Sequence, residues 1–207
     1  MFYNIEVQYY AQSKRGLPLF ALYGVVVLRI IAGSLRGLTL DTPAGLDTRP
    51  TADRVKEALF SSLTPYLKGA RVLDAFSGSG ALALEALSRG ADFAVMCEIG
   101  KQAFSCCRKN IEKAKLSERT SLLLTDALSY IRNTEEKFDI IFLDPPYAKG
   151  LYDEFLVHAA KRLNSGGIII AEYETAHSPN IPETLSVIKQ KKYGRVNLLY
   201  LSGADET

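Results

Sequence analysis

The chain has 207 residues, 47% of them hydrophobic, with 25 Lys plus Arg against 23 Asp plus Glu for a formal net charge of +2. That composition supports one folded domain with a sizeable buried core and excludes an intrinsically disordered chain, while the near-balanced charge says little by itself about partners. The three cysteines, Cys97, Cys106 and Cys107, form no CxxC pair, and His158 and His177 have no nearby ligand cluster. Neither a metal nor a disulfide is therefore expected, and this cysteine usage fits a reducing cytoplasm.

At the start of the chain, Lys14-Arg15 precedes an apolar run from Leu17 to Leu28 that has the length and flanks of a signal-peptide h-region. The run is too short to span a bilayer and passes, without a convincing cleavage site, into Arg29-Ile30-Ile31, which reads as a strand. Residues 1–27 are accordingly set apart as an N-terminal extension, no membrane is expected as a partner, and the expected compartment is the cytoplasm. Residues 1–40 carry Lys14, Arg15, Arg29 and Arg36 against Glu6 alone, a bias that suits a face meeting phosphate as well as an ordinary solvated one.

Leu28–Ala32 and Leu35–Leu40 flank Gly33-Ser34, which predicts a β-hairpin in a separate small lobe over residues 28–48. Pro50-Thr51 then opens a helix to about Tyr66, with Val55, Leu59, Phe60 and Leu63 forming an apolar stripe at helical spacing. From residue 70 onward, apolar β-rich runs alternate with helical patterns. Strands are expected at 70–74, 93–97, 119–125, 138–143 and 167–173, and helices at 80–89, 100–115, 126–132 and 150–163, with Asn164 and Gly166-Gly167 as stop signals for the last. Two further strands, 185–190 and 195–201, join across Lys192-Tyr193-Gly194 as a hairpin. The fold class is α/β, a doubly wound Rossmann-like core over residues 70–203.

Val72-Leu73-Asp74-Ala75-Phe76-Ser77-Gly78-Ser79-Gly80 is an apolar strand running into a glycine turn, and a helix starts at Ala81. Glycines allow close backbone approach to a ligand, and a helix N-terminus offers free N–H groups. Gly78-x-Gly80-x-x-Ala83 also satisfies the dinucleotide fingerprint, so this segment alone leaves a nicotinamide cofactor open. Glu98 closes the second strand 24 positions after Asp74, where a carboxylate can accept from both hydroxyls of a ribose. Asp126 ends the third strand, placed either to contact an adenine amine or to cap the helix that begins at Ala127.

Phe138 to Leu143 reads as a buried strand that delivers Asp144-Pro145-Pro146-Tyr147 to the edge where open α/β sheets bind ligands. Two consecutive prolines remove two N–H donors, so the loop presents a carboxylate and carbonyl oxygens, all acceptors. A planar NH2 group needs such acceptors. Hydrogen bonds from its two protons would aim the nitrogen lone pair at an electrophilic methyl, while Tyr147 stacks on the base. A rigid turn after a strand would also use two prolines, but the glycine loop, Glu98 and Asp144 follow in order on successive strands.

At these residues the chain resembles the class I methyltransferases that modify exocyclic amines, whose fourth motif reads Asp or Asn, Pro, Pro and an aromatic residue. More closely it is similar to the bacterial small-subunit ribosomal RNA (guanine(966)-N(2))-methyltransferases. The resemblance runs from about Leu28 to Leu201 and includes Arg29-Ile30-Ile31-Ala32-Gly33, Arg36-Gly37, Arg49-Pro50-Thr51-Ala52-Asp53-Arg54-Val55 and Leu73 through Ala91. It implies a seven-stranded sheet with an antiparallel final hairpin, a methyltransferase domain over residues 28–207, S-adenosylmethionine as cofactor and 16S rRNA, free or within a 30S particle, as substrate, with the enzyme a monomer. The cofactor contacts it implies are Asp74, Phe76, Gly78, Gly80, Glu98, Asp126, Ala127 and Thr51. Asp144, Pro145, Pro146 and Tyr147 would hold the target guanine, and Arg29, Arg36, Arg49 and Arg54 would face the RNA. Residues 1–27 have no counterpart in that family.

Two alternatives remain at this point. An adenine-N6 DNA methyltransferase shares the four-residue motif, although such enzymes usually carry a target-recognition domain for which this chain has little room. A dinucleotide-dependent oxidoreductase would use the glycine loop but has no need of the acceptor corner at Asp144.

Overall fold

The alternation of short Val, Ile and Leu runs with amphipathic helical segments builds one sheet covered on both faces. In a computed structural model, which describes residues 28–43, 50–144, 151–194 and 196–204, the strands are β1 (Arg71–Asp74), β2 (Phe93–Glu98), β3 (Thr120–Leu124), β4 (Phe138–Leu143), β5 (Leu163–Glu174), β6 (Leu185–Tyr193) and β7 (Val196–Gly203). The helices are α1 (Pro50–Leu67), α2 (Ala81–Ser88), α3 (Lys101–Ala114), α4 (Ala127–Asn133) and α5 (Leu151–Arg162). Strand order is β3-β2-β1-β4-β5-β7-β6, parallel from β3 to β5 and antiparallel across β5–β7 and β7–β6. This is the class I methyltransferase fold with its C-terminal antiparallel hairpin. Residues 1–27, with the apolar run before Leu28, lie outside the described residues.

Because side chains alternate across a strand, each face of the sheet acquires its own core. Val72, Ile140, Phe142, Ile168 and Ile170 pack with Phe60 and Leu63 of α1, Leu84 and Leu87 of α2, and Ile111 of α3. Leu73, Val95, Ile141 and Ile169 pack on the other face with Ile131 of α4 and Phe155 and Leu156 of α5. Each fully buried side chain of this size contributes roughly 1.5–3 kcal/mol. The stripe expected on α1 is buried as the spacing requires, with Leu59, Phe60 and Leu63 inside and Val55 packed at its margin. Among the described residues, no helix is long and apolar enough to cross a membrane.

Two expectations need correction. Asn164 and Gly166-Gly167 do not follow α5 as a loop; they lie within the opening of β5, which begins directly at Leu163. The register jumps there, from Phe138 opposite Leu163 to Ile140 opposite Ile168, so the extra residues bulge out of the ladder. Asn164 Nδ2 donates 2.8 Å to Asp139 Oδ1, and a Cβ on Gly167 would come within 3.0 Å of the Asp139 carbonyl oxygen, so glycine serves close packing here.

The second correction concerns the N-terminal hairpin, which is not a separate lobe. Its pairing is reduced to one antiparallel bridge, Arg29 with Thr39, flanked by Leu40 N–H donating to Leu28 O and Ile30 N–H donating to Leu38 O. Ile30 and Leu40 are buried in the same core as α1 and α2. What holds the arm is Glu85, a fully buried carboxylate on α2. It accepts from Ile31 N–H at 2.7 Å, Ala32 N–H at 3.0 Å and Arg89 Nε at 2.6 Å, and Lys56 Nζ lies 3.7 Å away. Ser88 extends the clamp, donating to Ala32 O at 2.6 Å and accepting from Leu35 N–H at 2.9 Å.

Removing one member of a buried charge network leaves its partners uncompensated. Glu85→Ala should therefore destabilise the protein by about 3–5 kcal/mol in urea denaturation, with loss of amide protection at Ile31 and Ala32. A loss below 1 kcal/mol would show that the arm is held by apolar packing alone.

Candidate functional site

The strand order reverses between β1 and β4, and the crevice at the carboxyl ends of those strands is where an open parallel sheet binds ligands. A cavity of about 710 Å³ opens there. Asp74 ends β1, Glu98 ends β2, Asp126 follows β3, Asp144 follows β4 and Glu172 lies near the end of β5; all five line the cavity. Val72, Phe142 and Ile170 belong to the core beneath α1, α2 and α3, so Asp74, Asp144 and Glu172, each two positions further on, emerge on that same face.

The loop after β1 is shaped by backbone bonds. Ala75 N–H donates to Phe142 O at 3.1 Å, Ser77 N–H to Cys97 O at 2.9 Å and Gly80 N–H to Ser77 O at 2.6 Å. Gly78 and Gly80 have φ of +54° and +81°, a region that L side chains rarely adopt. At Gly80 space also forbids a side chain, since a Cβ would stand 2.7 Å from Met96 Cε and 2.8 Å from Cys107 Sγ. The glycine thus lets α2 start against β2 and α3.

Glu98 anchors this loop as well as lining the cavity. Its Oε2 accepts from Gly78 N–H at 2.9 Å and its Oε1 from Gly100 N–H at 2.6 Å, which leaves each oxygen a further lone pair. Asp126 is the N-cap of α4, with Oδ2 accepting from Ser129 N–H at 2.7 Å. Its capping role and its place on the cavity wall coexist, because the cap occupies one oxygen.

Asp74 is buried, and its Oδ2 accepts a 3.3 Å bond from Ala83 N–H. Burial raises its carboxyl to about 7; the Ala83 bond opposes the rise, while the charges of Asp144 and Glu98 add to it. Asp144 is open to solvent at the cavity, with protein around the rest of it. Desolvation raises both Asp144 and Glu172, and the Asp144 charge raises Glu172 further, so the two lose protons one at a time, as a pair. The Cys97 thiol, also on the wall, is pushed up to about 12 by burial and then by the charges of Asp74 and Asp126, and so stays protonated.

The described lining contains five carboxyl groups and no Lys, Arg or His. A cavity of that sign favours a ligand that brings positive charge and opposes one that brings phosphates.

Of the residues singled out in the sequence, Asp74, Phe76, Gly78, Glu98, Asp126, Ala127 and Asp144 line one cavity, and Gly80 shapes its loop. Arg29 and Arg36 are exposed on the N-terminal arm and do not line it. Pro145, Pro146, Tyr147 and Arg49 lie outside the described residues, as do the side chains of Thr51 and Arg54 on α1. Glu172 was not singled out, although Ile168-Ile169-Ile170-Ala171-Glu172 carries the signal: an acid interrupting an apolar run at a strand's carboxyl end. Among the described residues, no group of His, Cys, Asp and Glu is arranged to hold a metal ion.

The family described as Conserved hypothetical protein 95 matches residues 28–202. The ribosomal RNA small subunit methyltransferase D of Buchnera aphidicola subsp. Acyrthosiphon pisum is 35% identical over 165 residues, covering 78% of this chain and 86% of its own. The protein of that name from Haemophilus influenzae is 34% identical over 175 residues, covering 82% of this chain and 91% of its own. The solved structure of yhhF from Escherichia coli superposes with a TM-score of 0.78 at 32% identity, over 86% of this chain and 98% of that one.

The raised Asp74 carboxyl has a direct consequence for stability. The folded state holds its proton more tightly than the unfolded chain does, so this contribution favours folding below the unfolded value of 3.8 and is lost as pH rises through about 7. Asp74→Asn should stabilise the ligand-free protein by roughly 2–4 kcal/mol at pH ~8, with the gain shrinking toward pH ~5. Urea denaturation at both pH values checks it; equal stability at pH ~8 would refute the buried charge.

Proposed function

The chain belongs to the Conserved hypothetical protein 95 family, and on that premise we propose that it methylates the exocyclic N2 amine of a guanine in 16S rRNA, the position-966 equivalent, using S-adenosylmethionine. The observation that carries this reading is the charge of the cavity. S-adenosylmethionine brings a sulfonium and an ammonium, which five carboxyl groups favour, whereas the pyrophosphate of a nicotinamide dinucleotide would add negative charge to an already acidic wall. An oxidoreductase is thereby disfavoured on physical grounds.

The residues fit the cofactor's parts. The spare lone pairs of Glu98 suit the ribose hydroxyls, the uncommitted oxygen of Asp126 suits the adenine amine, and Asp74 offers negative charge beside Gly78 and Gly80, which leave room for the methionine part. Phe76 and Ala127 supply apolar wall, and Thr51, in the first turn of α1, is proposed as a further cofactor contact. The bound cofactor supplies a methyl group already activated by its sulfonium, so what the protein contributes is alignment and charge.

Asp144 accepts a hydrogen bond from the target amine and favours the positive charge that develops on its nitrogen. Pro145 and Pro146 offer no competing N–H, and Tyr147 stacks on the base. The guanine must be unpaired or flipped out to reach this corner. Arg29, Arg36, Arg49 and Arg54 contact phosphates of the RNA, and the enzyme acts as a monomer in the cytoplasm on free rRNA or on the 30S particle.

Transfer of labelled methyl to unmethylated 16S rRNA, free and in 30S particles, followed by nucleoside analysis, should yield N2-methylguanosine; label appearing only in N6-methyladenosine would overturn the target. Asp144→Ala should lower transfer roughly 100-fold or more with S-adenosylhomocysteine binding nearly unchanged. Glu98→Ala should weaken that binding by roughly 10-fold or more in calorimetry. Replacing Arg29 and Arg36 together with Ala should reduce the salt dependence of RNA binding by about two phosphate contacts; an unchanged slope would place the RNA elsewhere.

A further inference from the structure

Asp144 and Glu172 form a row of two. Leu143 is in register with Ala171 on the adjacent parallel strand, so the next position on each, Asp144 and Glu172, are strand-to-strand neighbours at a spacing of about 4.8 Å. Both leave the sheet on the α1 face, and both line the cavity. The Tyr152 hydroxyl of α5 donates 2.5 Å to the Glu172 backbone oxygen, which holds this end of β5 in place. Among the described residues, no Lys, Arg or His pairs with either carboxyl group. Asp74 on β1 lies two residues short of Asp144, opposite Phe142, and is close enough to feel the charges of both Asp144 and Glu98.

Two neighbouring acids with no cation between them among the described residues are best satisfied when they share one proton. A hydrogen bond given by the Glu172 hydroxyl to Asp144 would leave the pair one negative charge and two acceptor oxygens for a ligand, the carbonyl oxygen of Glu172 and the second oxygen of Asp144. Guanine presents the complement, adjacent N1–H and N2–H donors on its Watson–Crick edge. Adenine presents an amine beside a bare N1 lone pair, which would face the Glu172 oxygen without a hydrogen.

Building on the methyltransferase reading above, we propose that Glu172 determines the choice of base, accepting from N1–H of the target guanine while Asp144 accepts from its N2–H. Glu172 touches the base and not the transferred methyl; it positions the amine and rejects bases that lack the second donor. Desolvation raises both carboxyls, and the Asp144 charge raises Glu172 further, which favours one proton held between them.

The test compares 30S particles reconstituted with guanine or with 2,6-diaminopurine at the target position. The analogue keeps the N2 amine but has no N1–H. The parent enzyme should methylate the diaminopurine particle roughly 10- to 100-fold more slowly, since the substitution sets a lone pair against an acceptor oxygen. Glu172→Gln, whose amide carries two N–H groups where the acid has one O–H already given to Asp144, can donate to Asp144 and to a bare N1 together, and should bring the two rates within roughly threefold of each other. Equal rates of the parent enzyme on both particles, or undiminished discrimination in Glu172→Gln, would overturn the role of Glu172 and leave the methyltransferase reading standing. No transfer to the guanine particle by the parent enzyme would overturn both. The comparison with parent enzyme alone decides the matter even if the variant folds poorly.

Discussion

Parallel pairing of β1, β4 and β5 imposes the constraint on which the site depends. Residues two apart on a strand share a face, so the register that sets Asp74 opposite Phe142 and Leu143 opposite Ala171 gathers Asp74, Asp144 and Glu172 on one face at the rim of a buried sheet, with Asp144 level with Glu172 and two residues beyond Asp74. No described cation stands among them. Like charges at such spacing in a partly desolvated crevice repel, and the protein relieves the repulsion by holding protons that exposed carboxyls would release. Cationic cofactor, acceptor corner and base choice all draw on that one arrangement.

Buried Glu85 plays a different part, because its charge is fully matched. It joins the N-terminal arm to α2, the helix that begins immediately after the glycine loop, through backbone donors of Ile31 and Ala32 and the side chain of Arg89. The arm therefore does not swing as an independent hairpin. Exposed Arg29 and Arg36 ride on a segment whose position is tied, through Glu85 and Ser88, to the helix that follows the glycine loop.

Elements defined by local periodicity were legible in the sequence almost residue for residue: 138–143 is β4, 126–132 differs from α4 by one position at each end, and the final hairpin is present, although Lys192 and Tyr193, expected in its connection, still pair within β6. The order of Gly78, Gly80, Glu98, Asp126 and Asp144 along the chain sufficed to bring them to one edge, because a parallel sheet places every strand's carboxyl end on the same side. What escaped was non-local. Asn164 and Gly167 look like a helix stop until Asp139, on the neighbouring strand, is seen to draw them into β5. Glu85 was not singled out, since the backbone donors it holds, Ile31 and Ala32, are more than 50 residues away in the chain. Glu172 acquires meaning only from the register that sets it beside Asp144.

The proton held by Asp74 also ties ligand capture to the solvent. A cation arriving beside that carboxyl restores the preference for its ionised form, so filling the cavity near neutral pH expels a proton. Heat measured on binding then includes the protonation heat of whatever buffer takes that proton, and two buffers at one pH will report different enthalpies for the same free energy. A small fall in the acidity of the surroundings, in turn, strengthens cofactor capture without moving any atom of the fold.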